Sequence, residues 1–307
     1  MALFLLDAYK KHKANKKRFD YEDQLFLMLK HLKDDTIFRS KIQAKNKYII
    51  VDELQDMSKL QWRILEELIK GGSKFFGVGD PAQAIFSFRG ADCEHLNTFM
   101  KRYTKGKSYP LTNNFRSTPQ LLALSNFIRT KISNKYQHLV TTNSDGLKAT
   151  VQECSTINSF ADWCLEDIKK KLKNGTKRTD ILIVARYHEQ VDLIQDILKK
   201  GKVKVESDDP NNKGDLRPSL RGVKVCTIHS AKGRERNVCY VVDPRLSSNA
   251  VLDTKAEYLR LMYVAVTRAM SELVIAKSMC GQTNYKNATT DDMNILDEIL
   301  YQDKLYT

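Results

Sequence analysis

The segment KYIIVDELQDM, residues 47–57, joins a short apolar run to a cluster of acidic residues. The run 48–51 has the length and composition of a buried strand. Asp52, Glu53 and Asp56 follow it, at the position where the loops of an open α/β sheet gather ligands. Such a strand usually accompanies a phosphate-binding loop earlier in the chain, yet residues 1–47 contain no glycine. The segment therefore predicts an α/β sheet and leaves open which phosphate loop it works with.

Strands and helices alternate along the rest of the chain. A helical region is expected up to about Asp35, and Ser58 is expected to cap a helix that ends at Lys70. Strands are predicted at 48–51, 74–80, 149–153, 180–186, 223–227, 238–242 and 272–277. Further helices are predicted at 119–132, 159–173, 188–200 and 254–269, with a loop at 206–219 and a helical tail near 290–302. Strands that alternate with helices predict parallel sheets, with a domain boundary near 116–120.

The composition favours a soluble protein with a polyanionic partner. The 307 residues allow one large domain or two ordinary ones, and 42% hydrophobic residues suffice for real cores. We expect no secretory signal and no membrane-spanning run. The six cysteines never show C-x-x-C spacing, which indicates reduced thiols and a cytoplasmic location. A net charge of +14 favours nucleic acid, although the basic clusters could equally be solvated helix faces.

Two stretches suggest chemistry. In a site that hydrolyses ATP, an aspartate at a strand end holds Mg²⁺ and an adjacent carboxylate orients the attacking water; Asp52 and Glu53 supply this pair. The alternative is that they merely solvate the strand end. In FFGVGDPAQAIFSFRGAD, residues 75–92, Gln83 precedes Phe86 and Phe88. A polar sensor beside two aromatic rings suits a site that stacks bases, and the alternative is a pair of core phenylalanines.

Five segments in order strengthen the first interpretation of both stretches. They are VDELQD, VGDPAQAIFSFRGAD, LTNNFRSTPQLL, VCTIHSAKGRE and EYLRLMYVAVTRA, preceded by RFDYEDQL at 18–25. In sequence and in order they resemble the motifs of the UvrD/Rep family of superfamily 1 DNA helicases. The resemblance covers residues from about 5 to 280. It implies ATP and Mg²⁺ as cofactors, single-stranded and duplex DNA as partners, and DNA unwinding as the activity.

The resemblance also implies a role for each matching residue. Asp52 resembles the magnesium ligand, Glu53 the catalytic carboxylate and Gln83 the γ-phosphate sensor. The arginines that reach the transferring phosphoryl group are matched by Arg116 and Arg268. Nucleotide contacts are implied for Phe115, Glu235 and the turn ending at Gly233, and DNA contacts for Phe86, Phe88, Arg89 and His229. Glu257, Arg260 and Tyr263 are implied as supporting structure.

The chain departs from the family pattern in three places. No G-x-x-x-x-G-K-[ST] loop is present, since the GKS at 106–108 has Lys101 where the first glycine belongs. The spacing between NFRS and TIHSAKG leaves no room for the family's large insertion. Finally, the family usually has a hydrophobic pair around the glutamate of AKGRERN, which weakens the match at Glu235. We expect the phosphate loop on another polypeptide or in a lost upstream segment.

The resemblance therefore predicts two RecA-like α/β motor domains with parallel sheets. Residues 1–116 would form the first domain, truncated at its N-terminus, and residues 117–307 the second, without a large insertion and with a short helical tail. We expect an ATP-dependent DNA helicase that is active once joined by the phosphate loop. The alternatives are a catalytically inactive fragment that binds single-stranded nucleic acid or has a regulatory role, and the product of an interrupted gene that folds poorly.

Overall fold

The chain divides into two compact units, residues 1–108 and 109–307, which we describe separately. The computed structural model describes residues 2–103, 105–206, 222–243, 246 and 254–279. The division between the units lies a few residues before the predicted domain boundary, which remains a prediction. No helix in the described ranges has the length and apolar character needed to cross a membrane.

Helices make up most of the first unit. They are α1 (Ala2–Asn15), α2 (Tyr21–Asp34), α3 (Thr36–Lys45), α4 (Lys59–Lys70), α5 (Cys93–Asn97) and α6 (Phe99–Arg102). The region expected to be helical up to about Asp35 consists of two helices, and Asp20 is the N-cap of the second, α2. The predicted N-cap Ser58 is confirmed, with its side chain accepting a hydrogen bond from the Gln61 N–H.

A two-stranded parallel sheet carries the acidic segment. Strand β1 (Tyr48–Val51) pairs with β2 (Lys74–Gly77) in the register Ile50 to Phe76. The predicted second strand is thus shorter than expected, and a 3-10 turn at Pro81–Gln83 follows it. One face of the sheet packs on a small core of Leu54, Trp62 and Leu65. On the other face the following side chains are exposed: Tyr48, Ile50 and Phe76.

The second unit is a five-stranded α/β sheet. Its strands are β3 (Thr150–Cys154), β4 (Ile181–Ala185), β5 (Lys224–Thr227), β6 (Arg236–Val242) and β7 (Ala269–Ser278), in the order β3-β7-β6-β4-β5, and every pair is parallel. Its helices are α7 (Pro119–Ile132), α8 (Ile157–Lys173), α9 (His188–Lys200), α10 (Ile228–Ala231) and α11 (Lys255–Val266). The predicted α/β class with parallel sheets is confirmed.

The strands of this sheet are apolar, and they lie in the core of the second unit. All five residues of β4 are buried, as expected for a strand covered on both faces. The prediction of a helix over 254–269 is wrong at its end, because α11 stops at Val266 and β7 already begins at Ala269. Arg268 therefore lies in a tight connection and not on a helix. The predicted tail at 290–302 and most of the predicted loop at 206–219 lie outside the described residues.

Candidate functional site

In the first unit, Asp52 and Glu53 directly follow β1, as predicted. Both residues are exposed, and the Asp52 Oδ1 accepts a hydrogen bond from the Glu53 N–H at 2.8 Å. Glu53 has a φ of 54°, in the left-handed region that non-glycine residues rarely adopt. Strained backbone of this kind persists where the surrounding structure enforces it, and it is frequent at functional sites. The turn directs two carboxylates to the carboxyl edge of the sheet.

A buried amide connects Glu53 to the loop after β2. Gln55 is 1% exposed; its Nε2 donates to the Glu53 carboxylate, and its Oε1 accepts from the Asp80 N–H at 2.9 Å. The Asp80 Oδ2 in turn accepts from the Gln83 Nε2 at 3.1 Å. The structure thus joins Glu53 and Gln83 through Gln55 and through the backbone N–H and side chain of Asp80. Sequence reasoning missed Gln55, although its place inside VDELQD was a signal.

The loop after β2 is shaped around this amide. A side chain at Gly79 would place its Cβ 2.8 Å from the Gln55 Oε1 and 3.0 Å from the Leu54 Cβ. Only glycine lets the backbone approach so closely. The Leu54 N–H also donates to the Val78 carbonyl at 2.9 Å. The two loops therefore hold each other in a fixed position.

Beyond Gln83, the predicted aromatic pair is present at the surface. The ring centroids of Phe86 and Phe88 lie 6.0 Å apart. The Arg89 guanidinium lies 5.3 Å from the Phe86 ring and 5.6 Å from the Phe88 ring. Phe88 is 66% exposed, so its ring does not belong to the core. An exposed aromatic face beside a cation can stack bases and contact phosphates.

In the second unit, three predicted site residues lie together. The Arg116 Nη2 forms a half-exposed ion pair with the Glu235 Oε2 at 2.8 Å. The Arg116 Nη1 also donates to the Thr267 carbonyl at 3.4 Å. The adjacent Arg268 is close enough for its charge to be affected by both Arg116 and Glu235. The cluster holds two cations and one anion, which leaves an excess of positive charge.

Arg268 itself is buried, with 2% of its surface exposed. Its Nε donates to the Val264 carbonyl at 2.9 Å, its Nη1 to the Arg234 carbonyl at 3.3 Å and its Nη2 to the Thr267 Oγ1 at 3.0 Å. Burial first, and then repulsion by Arg116, lower the pKa of Arg268 to about 10. In this conformation the guanidinium ties the turn after α11 to the segment before β6. Its predicted contact with phosphate remains a prediction.

The segment that carries Arg116 is anchored on both sides. The Asn114 Oδ1 accepts from the N–H groups of Arg116 and Ser117, each at 2.9 Å, and the Ser117 Oγ donates to the Ala269 carbonyl at 3.0 Å. Phe115, between them, is 76% exposed. An exposed ring on a fixed turn is available for stacking, as the predicted nucleotide contact of Phe115 requires.

The remaining predicted residues lie elsewhere on the second unit. The Nδ1 of His229, on α10, lies 3.4 Å from the Arg186 Nη1. Gly233 has a φ of +77° with open space around it, so backbone conformation explains the glycine there. Tyr263 accepts a hydrogen bond from Arg129 at 3.0 Å. Two further residues predicted as supporting structure lie on the same helix: Glu257 in the capping box of α11, and Arg260 donating to the Ala256 carbonyl.

The acidic pair fits a magnesium ion shared with phosphates. In the described part of the chain, no group of three or more His, Cys, Asp or Glu side chains could hold a metal ion alone. Mg²⁺ in phosphoryl-transfer sites uses one or two carboxylates and completes its shell with water and substrate phosphates. Asp52 has an exposed carboxylate at a strand end and so can serve as such a ligand.

Two family descriptions match the chain. The UvrD/REP helicase N-terminal domain matches residues 2–104, and an AAA domain matches residues 125–279. The chain is 32% identical over 168 residues to a probable DNA helicase II homolog of Mycoplasma capricolum subsp. capricolum, covering 54% of this chain and 23% of that protein. It is 27% identical over 204 residues to the ATP-dependent DNA helicase PcrA of Staphylococcus aureus strain Mu50, covering 66% and 28%.

The matched region spans about a quarter of the length of these curated relatives. Among solved structures, the C-terminal domain of a possible DNA helicase from Lactobacillus plantarum WCFS1 is 18% identical. That likeness covers 54% of this chain and 88% of the other, with a TM-score of 0.39.

Proposed function

The chain belongs to the UvrD/Rep family of helicases, and on that premise we propose that it forms part of a cytoplasmic ATP-dependent DNA helicase. In this proposal, hydrolysis of Mg²⁺-ATP drives movement on single-stranded DNA and unwinding of the duplex. Residues 1–116 would contribute a partial first motor domain and residues 117–307 a second.

One observation carries the proposal: the hydrogen-bonded chain that joins Glu53, Gln55, Asp80 and Gln83. A catalytic carboxylate must be held in a fixed orientation to be effective. A residue that detects the γ-phosphate must respond to the same reaction. The hydrogen-bonded chain links both residues, and the segment that bears Phe86 and Phe88 follows Gln83 directly. This arrangement supports a site in which nucleotide chemistry and DNA contact are coupled.

The chemistry assigned to the first unit follows from its donors. Asp52 would hold Mg²⁺, which neutralises charge on the phosphates when bound. Glu53 would orient the attacking water and accept its proton. Because the Gln55 amide donates to the Glu53 carboxylate, one carboxylate oxygen is fixed and the carboxyl group keeps one orientation.

The second unit would supply positive charge to the phosphates. Arginine binds phosphate oxygens with two parallel hydrogen bonds. Arg116 is half-exposed and paired with Glu235, so a phosphate can compete for its guanidinium. If Glu235 accepts from the ribose, as the family resemblance implies, nucleotide binding would release Arg116 from the ion pair. Arg268 would then act mainly by holding the connection after α11 in place.

We include in the proposal a phosphate loop on a polypeptide segment outside residues 1–307. Two observations support it. The sequence contains no G-x-x-x-x-G-K-[ST], and the face of the first sheet that bears Tyr48, Ile50 and Phe76 is exposed. Contiguous apolar surface of this kind usually marks an interaction site.

The test is ATP hydrolysis by the full chain, with and without single-stranded DNA. The measurement is repeated after co-expression with a helicase segment that carries a G-x-x-x-x-G-K-[ST] loop. We expect hydrolysis that DNA stimulates and that Glu53→Gln abolishes. The matched control is Glu94→Gln, which makes the same change at an exposed position on α5 and should leave the rate unchanged. Equal rates for both variants, or none under any condition, would refute the proposal.

A second candidate function is a nucleic-acid-binding module without catalysis. The exposed Phe88 ring beside Arg89 and the net charge of +14 favour it. This function predicts binding to single strands that weakens with salt and ignores ATP. Identical DNA affinities with and without ATP in the complemented protein, together with absent hydrolysis, would select it over the helicase.

A further inference from the structure

A polar groove lies beside the aromatic pair in the first unit. Its volume is about 640 Å³, within the range that accommodates a small ligand. The groove is lined by Glu22 at the start of α2, by Ser58, Lys59 and Leu60 at the start of α4, and by Ser87 and residues 89–92. We call it the Lys59 groove. Because apolar side chains are a minority of its lining, the groove suits a charged ligand.

The walls of the Lys59 groove are fixed. Ser58 and Ala91, which both line the groove, form an antiparallel bridge, and the Asp92 N–H donates to the Met57 carbonyl at 3.1 Å. Gly90 has a φ of +79° and open space where a side chain would stand. The turn after Phe88 therefore keeps its shape and remains uncovered.

Two cations, Lys59 and Arg89, and two carboxylates, Glu22 and Asp92, line the groove. The Asp92 Oδ1 caps α5 by accepting from the Glu94 N–H. The Asp92 Oδ2 lies 3.6 Å from the Lys59 Nζ and 3.3 Å from the His95 Nδ1. One carboxylate is thus shared by several groups, and the Lys59 side chain stays 74% exposed. A weak, exposed ion pair of this kind is readily exchanged for a phosphate.

Arg89 joins the groove to the aromatic pair. Its guanidinium lies over the rings of both phenylalanines, and the same residue lines the groove. A single strand carries a phosphate on each side of every base. A base stacked on Phe88 would therefore direct the next nucleotide into the groove, where Lys59 and Arg89 could contact its phosphate.

We propose that the Lys59 groove binds one nucleotide of a single strand, next to the base stacked on Phe88, with Lys59 as a phosphate contact. This inference rests on the proposed DNA-binding function and deepens it. Phe86, Phe88 and Arg89 are the residues implied by the family resemblance. Lys59 and the groove come from the structure alone.

The test is binding of the full chain to a fluorescein-labelled oligothymidylate of about 16 nucleotides, measured by anisotropy over a range of salt concentrations. The variants are Lys59→Ala and the control Lys41→Ala, which removes the same charge from an exposed position on α3. In a Trp163→Phe background, Trp62 fluorescence checks that each variant folds. We expect Lys59→Ala to weaken binding at low salt and to lower the log–log salt slope by about 0.7, the value for one phosphate of a single strand.

The outcomes distinguish a failure of the groove inference from a failure of the proposed DNA-binding function. If wild type binds and Lys59→Ala behaves like Lys41→Ala, the groove is not a subsite and only this inference fails. If the wild-type chain binds no single strand, both the groove and the proposed DNA-binding function fail. A reduced slope for Lys59→Ala alone supports the groove.

Discussion

The substitution Gln55→Leu would remove the side-chain amide that joins the loops after β1 and β2. Gln55 is almost completely buried and makes one hydrogen bond to each loop, to the Glu53 carboxylate and from the Asp80 N–H. Leucine has a similar volume, so the packing around it should change little. The substitution therefore tests the polar contacts with little disturbance of the core.

The magnitude follows from the two bonds. Hydrogen bonds to charged groups contribute about 1.5–3 kcal/mol, but water can replace part of this one because Glu53 is exposed. Removing the acceptor of the Asp80 N–H costs about 1–3 kcal/mol if that group becomes buried without a partner. After discounting the exposed side, we expect the free energy of unfolding of the first unit to fall by about 2 kcal/mol.

Tryptophan fluorescence can measure this change in one unit alone. The chain has 2 tryptophans, Trp62 in the first unit and Trp163 in the second. In a Trp163→Phe background, the remaining Trp62, which is 2% exposed, reports unfolding of the first unit in urea. With a slope of about 2 kcal/mol per M, the midpoint should fall by about 1 M.

The control is Gln190→Leu in the same background. Gln190 is also 1% exposed but lies in the second unit, where its Oε1 accepts from the Arg186 N–H at 3.2 Å. It should leave the Trp62 midpoint unchanged. A Gln55→Leu shift below about 0.3 M, or an equal shift for Gln190→Leu, would refute the claim that Gln55 locks the two loops together.

Three further predictions concern other parts of the chain. Replacing both Phe86 and Phe88 with alanine should raise the Kd for a single strand by roughly 5- to 150-fold per base unstacked, measured by anisotropy; no change would place the DNA elsewhere. Arg268→Lys should destabilise the second unit by about 1–3 kcal/mol, because lysine cannot replace the three guanidinium nitrogens that donate hydrogen bonds. An unchanged urea midpoint would contradict this. Hydrogen bonding from Lys13 lowers the pKa of Asp20 to about 2. The stability that the charged Asp20 cap gives α2 should therefore be fully present above the carboxyl's unfolded pKa of about 3.9, and should be lost as pH falls through about 2. An NMR titration of the Asp20 carboxyl carbon with a midpoint near 4 would contradict this.

The strands of the second unit were predicted well because buried strands have an unambiguous pattern, whereas the strand at 48–51, also predicted as buried, has no buried residue. ILIVA at β4 is apolar throughout, and all of it is buried. Helix α3 was missed for the opposite reason, since no residue in it is buried. Its start was readable, however, because Asp35 accepts from the Phe38 N–H as an N-cap. Local capping chemistry forms this helix, and a search for apolar periodicity does not detect it.

The candidate site was predictable in its residue types and less so in its contacts. Motif order placed Glu53 and Gln83 in one site, and the structure joins them through Gln55. Nothing in the spacing of VDELQD shows that the amide reaches the next loop, because that contact depends on the left-handed turn at Glu53. In the same way, the predicted helix over 254–269 included Arg268. The connection to β7 begins three residues earlier than expected, and this turns the guanidinium inward.

The burial of Arg268 bears on how the second unit could respond to an anion. Arg116 and Arg268 repel each other, and this repulsion, added to burial, lowers the pKa of Arg268. Glu235 offsets part of it through its ion pair with Arg116. A phosphate group at Arg116 would bring more negative charge than the carboxylate it displaces, and so would relieve the repulsion further. Arg268 donates hydrogen bonds to the backbone carbonyls of Val264 and Arg234. A weaker repulsion on its guanidinium would therefore also affect these two hydrogen bonds. The positive charge that favours an anion at this cluster is thus the same charge that ties α11 to the segment before β6.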